Sequence, residues 1–140
     1  MGLILDTSLL IAGERRGDTV AELLLQVRNA FQVVDVAVSA MSVVELTHGI
    51  YRARTETQRH SRRMYATDLF DGIIVHPVSL EIAELAGRIE GEQANRGYSI
   101  AIEDLLIGAT ALYIGFGVAT LNAKHFELIP DLQVLSAGYV

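Results

Sequence analysis

Gly2-Leu3-Ile4-Leu5-Asp6-Thr7-Ser8-Leu9-Leu10-Ile11 opens the chain with an apolar run, one carboxylate, two hydroxyls and a second apolar run. This order predicts a buried strand over Leu3 to Leu5, a sharp exit at Asp6 and a helix beginning near Thr7 or Ser8. A buried strand carries its last residue to the carboxyl edge of a sheet, where open α/β folds bind ligands. Asp6 there is either a helix cap or turn residue or one member of a working acidic cluster. The decision rests on whether other acids reach the same edge.

Downstream, Leu9 to Ala12 continue the helix, which Gly13 and Gly17 are read as ending. Asp18 or Thr19 caps a second helix with Val20, Leu23, Leu24 and Val27 on one face. The β-branched run Val33 to Val38 predicts a second buried strand. Ser39 and Ser42 open a helix carrying Val43, Val44, Leu46 and Ile50. A polar helix follows over about residues 56–70, with Met64, Leu69 and Phe70 turned inward. Ile73 to Val75 reads as a third strand ahead of His76-Pro77. Ser79 caps a long helix with Ile82, Leu85, Ala86 and Ile89 as its buried stripe, ending near Arg96-Gly97. Leu105 to Ile114 is apolar and helical, and Gly115 and Gly117 stop it. Val118 to Thr120 and Leu132 to Leu135 are the fourth and fifth strands. Strands alternating with helices predict a three-layer α/β/α sandwich with a central parallel sheet of four to five strands.

The 140 residues suit a single domain, 1–140. A content of 51% hydrophobic residues fills one core. No apolar run reaches the roughly 18 to 20 residues of a membrane span. No signal peptide is evident. The absence of cysteine excludes disulfides, thiolate metal sites and cysteine nucleophiles, and suits a cytoplasmic protein. A net charge of -6 argues against a general nucleic-acid-coating protein. The charge is unevenly spread, however. Arg52, Arg54, Arg59, Arg62 and Arg63 lie close together, with Glu56 the only acid among them. This run is either a solvated helix face or a patch for phosphates or an acidic partner segment.

Three acidic places bear on the opening stretch. Asp6 ends strand one. Glu45 lies in the first turns of the helix after strand two. Glu103-Asp104 begin the helix before strand four. The partial positive charge of helix N-termini predicts that each acid is held ionised where it stands. Packed helices would bring Asp6, Glu45 and Asp104 to one pocket. Carboxylates without cysteine or a histidine cage select hard cations, Mg²⁺ or Mn²⁺. Such a cation can activate water against a phosphodiester and stabilise charge on phosphate.

Leu5-Asp6-Thr7-Ser8 resembles the opening of a PIN domain. Ser42-Val43-Val44-Glu45-Leu46-Thr47-His48-Gly49 resembles that family's second motif. Asp104-Leu105-Leu106-Ile107-Gly108-Ala109-Thr110-Ala111 resembles its third, and Thr120-Leu121-Asn122-Ala123-Lys124-His125-Phe126 its fourth. Each motif is loose, but four in order at suitable spacings are specific, and they span about residues 2–136. Length and motif spelling look most like the VapC-type toxins of bacterial and archaeal toxin–antitoxin pairs. The resemblance implies an Mg²⁺- or Mn²⁺-dependent endoribonuclease with a PIN-like fold. It implies that Asp6 and Asp104 bind metal, with Glu45 as a further ligand or acting through water. Thr7, Ser8, Thr120 and Asn122 would position Asp6, water and phosphate. It also implies a homodimer, and inhibition by a small VapB-type antitoxin whose C-terminal segment lies in the active-site groove.

The pattern departs at one place. Many relatives carry aspartate where this chain has His125. Imidazole can bind Mn²⁺ but does not replace a carboxylate for Mg²⁺, which bears on a second metal site. Glu103 and Glu127 are acidic neighbours in sequence, and His125 can equally be a cap or an exposed polar residue. His76, beside Pro77, reads as structural. Two other classes compete. A haloacid-dehalogenase-type phosphatase wants a second acid two residues after the first, where this chain has Ser8. A PIN-like module without catalysis would bind only RNA or protein, and the intact acids argue against it.

Overall fold

In the computed structural model, Leu3 and Leu5 point into one hydrophobic layer and Ile4 into the other. This alternation is the two-residue period of a strand covered on both faces. The structure describes residues 2–33 and 35–138. Five strands, β1 (Leu3–Leu5), β2 (Val36–Ser39), β3 (Ile74–His76), β4 (Gly117–Thr120) and β5 (Val134–Ser136), form one sheet. Their order is β3-β2-β1-β4-β5, and every adjacent pair is parallel. Seven helices accompany them among the described residues: α1 (Thr7–Arg16), α2 (Val20–Phe31), α3 (Ala40–Tyr51), α4 (Glu56–Gly72), α5 (Leu80–Asn95), α6 (Ile102–Ile114) and α7 (Ala123–Phe126). The three-layer α/β/α architecture is as the alternation implies.

Each face of the sheet has its own core. Leu9 and Leu10 of α1, Leu23 and Val27 of α2, and Tyr65 and Leu69 of α4 cover Leu3, Leu5 and Val38. Ile82, Ala86 and Ile89 of α5, with Leu105 and Ile107 of α6, cover Ile4, Ala37 and Val118. The chain winds outward from β1 to β2 and β3 on one side, then returns to β4 and β5 on the other. The reversal falls between β1 and β4, and the carboxyl ends of strands at such a switch point form a crevice. Asp6 and Thr120 stand there side by side, the Asp6 amide donating to the Ala119 carbonyl at 2.9 Å.

Local signals explain most boundaries. Thr19 and Glu22 form a reciprocal capping box at the start of α2. Ser39, Thr55 and Ser79 each accept an amide hydrogen at the start of α3, α4 and α5. Gly17 and Gly115 end α1 and α6 in the left-handed conformation.

Several expectations need correction. Gly13 does not end α1, which runs on to Arg16. It sits inside the helix, where a β-carbon would come 2.9 Å from the Tyr65 hydroxyl oxygen. Met64 is exposed, because the inward phase of α4 is set by Tyr65, Ala66 and Leu69 at helical spacing. The second strand begins at Val36 rather than Val33, and Val34 lies outside the described residues. The fifth is shifted to Val134–Ser136. Helix α6 begins at Ile102, a turn before the apolar run, and the short α7 was not anticipated.

Candidate active site

The switch-point crevice opens into a cleft of about 660 Å³ lined by Asp6, Thr7, Ser8, Ile11, Met41, Val44, Glu45, His48, Gly49, Glu103, Asp104, Asn122 and His125. Four separate pieces of chain supply it: the β1–α1 junction, α3, the first turn of α6 and the segment after β4.

Asp6 is 5% exposed and takes the N-cap position of α1, yet its carboxylate caps no backbone amide. Its Oδ2 accepts instead from Ser8 Oγ at 2.6 Å and from Thr120 Oγ1 at 2.8 Å. Each hydroxyl is itself held by an amide. The Leu121 amide donates to Ser8 Oγ at 3.2 Å, and the Asn122 amide to Thr120 Oγ1 at 2.9 Å. A carboxylate gripped by two charge-assisted hydrogen bonds is fixed in one orientation. The bland reading of Asp6 as a helix cap is therefore set aside by geometry.

A second chain of hydroxyls holds Glu45. Thr7 Oγ1 donates to Glu45 Oε1 at 2.7 Å. Thr7 has only one proton, so at 2.8 Å it is Ser42 Oγ that donates to Thr7. Ser42 and Thr7 are both buried. Asp104 is met from the other side by His125, whose Nδ1 lies 3.4 Å from Asp104 Oδ2. Asn122 is the N-cap of α7 but makes no side-chain cap hydrogen bond, and it lines the cleft.

Electrostatics show how closely these acids feel one another. Burial pushes the Glu45 carboxyl up, the Thr7 hydrogen bond opposes this, and the charges of Asp6, Glu103 and Asp104 push it up further. Burial also raises Asp104, as do Asp6 and Glu103, while His125 opposes them. The helix N-termini were expected to hold these acids ionised. For Glu45 and Asp104, desolvation and mutual repulsion act against that pull and raise both carboxyls.

A crowd of half-buried carboxylates is chemically suited to a hard cation, which would relieve the repulsion. Among the described residues no three Asp, Glu or His side chains stand close enough together to wrap one ion. The donor set thus fits a hydrated cation held through one or two carboxylates, with water in the remaining positions.

The arginines divide. Arg62 Nη1 donates to the Gly49 carbonyl at 2.7 Å and lines a smaller pocket of about 90 Å³ with Glu45, Gly49 and Arg15. That pocket shares Ile11, Glu45 and Gly49 with the main cleft. Arg59 is engaged by Glu56 and by the Ala53 carbonyl. Arg52 and Arg63 are exposed. Arg52 is the C-cap of α3 while Arg59 and Arg63 belong to α4, so the run does not lie on one helix. None of the five except Arg62 lines either pocket.

Sequence reasoning missed His48 and Met41 as cleft residues. Met41, Val44, Glu45 and His48 share one face of α3, a spacing that was available in the sequence. Glu103 lines the cleft, whereas the exposed Glu127 does not. His76 packs edge-on against Phe116, with ring centroids 6.4 Å apart, a structural role.

Residues 3–131 match the family model of the PIN domain. The chain belongs to the PIN-domain family. This PIN domain is 31% identical over 137 residues to the ribonuclease VapC of Rickettsia bellii, covering 97% of this chain and 96% of that one. Its fold superposes with a TM-score of 0.80 on VapBC2 from Rickettsia felis, solved bound to a DNA fragment from their promoter. That match has 20% identity and covers 98% and 99% of the two chains. It also superposes on FitAcB from Neisseria gonorrhoeae at TM-score 0.73, 27% identity and 96% coverage of each chain.

Proposed function

We propose that this PIN domain is a divalent-cation-dependent endoribonuclease, the toxin of a toxin–antitoxin pair, held inactive by a small VapB-type antitoxin. The observation that carries the reading is the meeting of Asp6, Glu45 and Asp104 in one cleft, each held by its own partner, in a chain 31% identical to a ribonuclease VapC. The toxin–antitoxin part is supported by the likeness, at TM-score 0.71 and 23% identity, to VapBC-5 from Mycobacterium tuberculosis, a member of the VapBC family of toxin–antitoxin systems. The proposal includes a cytoplasmic homodimer. Among the described residues no helix is long and apolar enough to cross a membrane.

Asp6 and Asp104 would hold Mg²⁺ or Mn²⁺, with Glu45 beside it. When bound, the cation offsets the charge that develops on the phosphate and makes a nearby water a better nucleophile. The residues of this chain supply the rest. Ser8 and Thr120 keep Asp6 from turning away from the cleft. Thr7 occupies Glu45 Oε1, which leaves Oε2 to accept the proton of the attacking water. A carboxyl raised from its ordinary value is a stronger base for that step. Asn122 offers an amide donor to a phosphate oxygen.

The test is cleavage of single-stranded RNA by the purified chain, with Mg²⁺ or Mn²⁺ and with a chelator, beside Asp6→Asn protein. Cleavage that needs the cation and Asp6 supports the proposal. Intact RNA under every condition removes the enzymatic reading, and cleavage by the Asp6→Asn protein removes the site.

A further inference from the structure

His125 enters the cleft from α7 and, among the described residues, is the histidine that stands against one of its acids. Its Nδ1 is 3.4 Å from Asp104 Oδ2, and its side chain is 59% exposed. Two neighbouring ligands of an octahedral ion with bonds of about 2.1 Å lie about 3.0 Å apart. The Nδ1–Oδ2 spacing is thus within a few tenths of an ångström of what two ligands of one cation need. Because no three acidic or histidine groups among the described residues wrap an ion here, each donor weighs heavily in selecting which cation stays. Imidazole adds little for Mg²⁺, which takes oxygen ligands, but it strengthens binding of first-row transition ions in the order Mn²⁺, Co²⁺, Ni²⁺.

We propose that His125 and Asp104 form a mixed nitrogen–oxygen donor pair that biases this cleft toward transition-metal cations over Mg²⁺. The inference rests on the cation-dependent reading above and deepens it by naming the class of cation. His125 lies on the rim, so its replacement leaves both cores intact.

The experiment is calorimetric titration of the chelator-stripped full chain at one fixed pH with Mg²⁺, Mn²⁺ or Co²⁺ alone, together with the visible absorption of the Co²⁺ form. Wild type binds Co²⁺ and Mn²⁺ more tightly than Mg²⁺. His125→Ala loses Co²⁺ affinity by about tenfold or more and changes the Co²⁺ spectrum, while its Mg²⁺ affinity is unchanged. His125→Asp reverses the preference by tightening Mg²⁺. Equal weakening of all three cations in His125→Ala overturns the proposal, because His125 would then only orient Asp104. Unchanged selectivity overturns it too, as does full Co²⁺ binding by Asp104→Asn. Those results leave the cation-dependent reading standing. A wild-type chain that binds none of the three cations ends both.

Discussion

Thr120 Oγ1 donates a hydrogen bond of 2.8 Å to Asp6 Oδ2 across 114 residues of sequence, tying the end of β4 to the end of β1. The two strands are neighbours in the sheet, and the bond closes the crevice where the winding reverses. Ser8 completes the grip. Asp6→Asn keeps an acceptor oxygen for both hydroxyls but removes a charge from a crowded cleft. The variant should be as stable as wild type or more so, with RNA cleavage lower by about 10² or more. Thermal unfolding and cleavage rates on the same preparations check both halves.

Thr7 links a buried hydroxyl to a catalytic candidate. In Thr7→Val the fully buried Ser42 Oγ loses its acceptor and Glu45 loses its donor. Destabilisation of about 1–3 kcal/mol should follow, from the unsatisfied buried group. Adding Ser42→Ala removes the stranded hydroxyl and should recover part of that loss. Denaturant unfolding of the single and double variants measures it. An unchanged stability in the single variant would mean that the hydroxyl relay holds nothing in place.

Glu45 and Asp104 both have raised carboxyls in the fold. Between the unfolded and folded values the folded chain binds more protons than the unfolded one. The cation-free protein therefore loses stability as pH rises from the ordinary carboxylate range through the raised values, and regains it on acidification. Asp104→Asn removes one of these groups. Its stability advantage over wild type in chelator should grow as pH rises from the ordinary carboxylate range. Melting curves across that rise decide the point, and a constant advantage contradicts it.

The arginines should separate into two kinds. Arg62→Gln breaks the tie from α4 to the Gly49 carbonyl and should cost about 1 kcal/mol. Replacing Arg52, Arg54 and Arg63 with Gln should leave stability unchanged. If these three hold RNA, every phosphate they release flattens the salt dependence of binding by about 0.7 for a single strand. Isotherms at several salt concentrations read this directly. An unchanged slope with weaker antitoxin binding assigns the patch to the protein partner.

The sequence alone determined the sheet and its acids. The apolar runs of β1, β2 and β4 can be read locally, because burial on both faces leaves no other composition for a parallel strand. The caps at Thr19, Ser39 and Ser79 are equally local, since a hydroxyl meets an amide two or three residues away. Asp6, Glu45 and Asp104 stand out because each sits at a strand exit or in the opening turns of a helix. What only the tertiary structure decided are relationships between distant elements. That Thr120 grips Asp6, that Ser42 reaches Glu45 through Thr7, and that His125 faces Asp104 all depend on the strand order. The raised carboxyls of Glu45 and Asp104 arise in the same way. A helix dipole is visible along the sequence, but desolvation and the repulsion of acids from other segments exist only once the chain has brought them together.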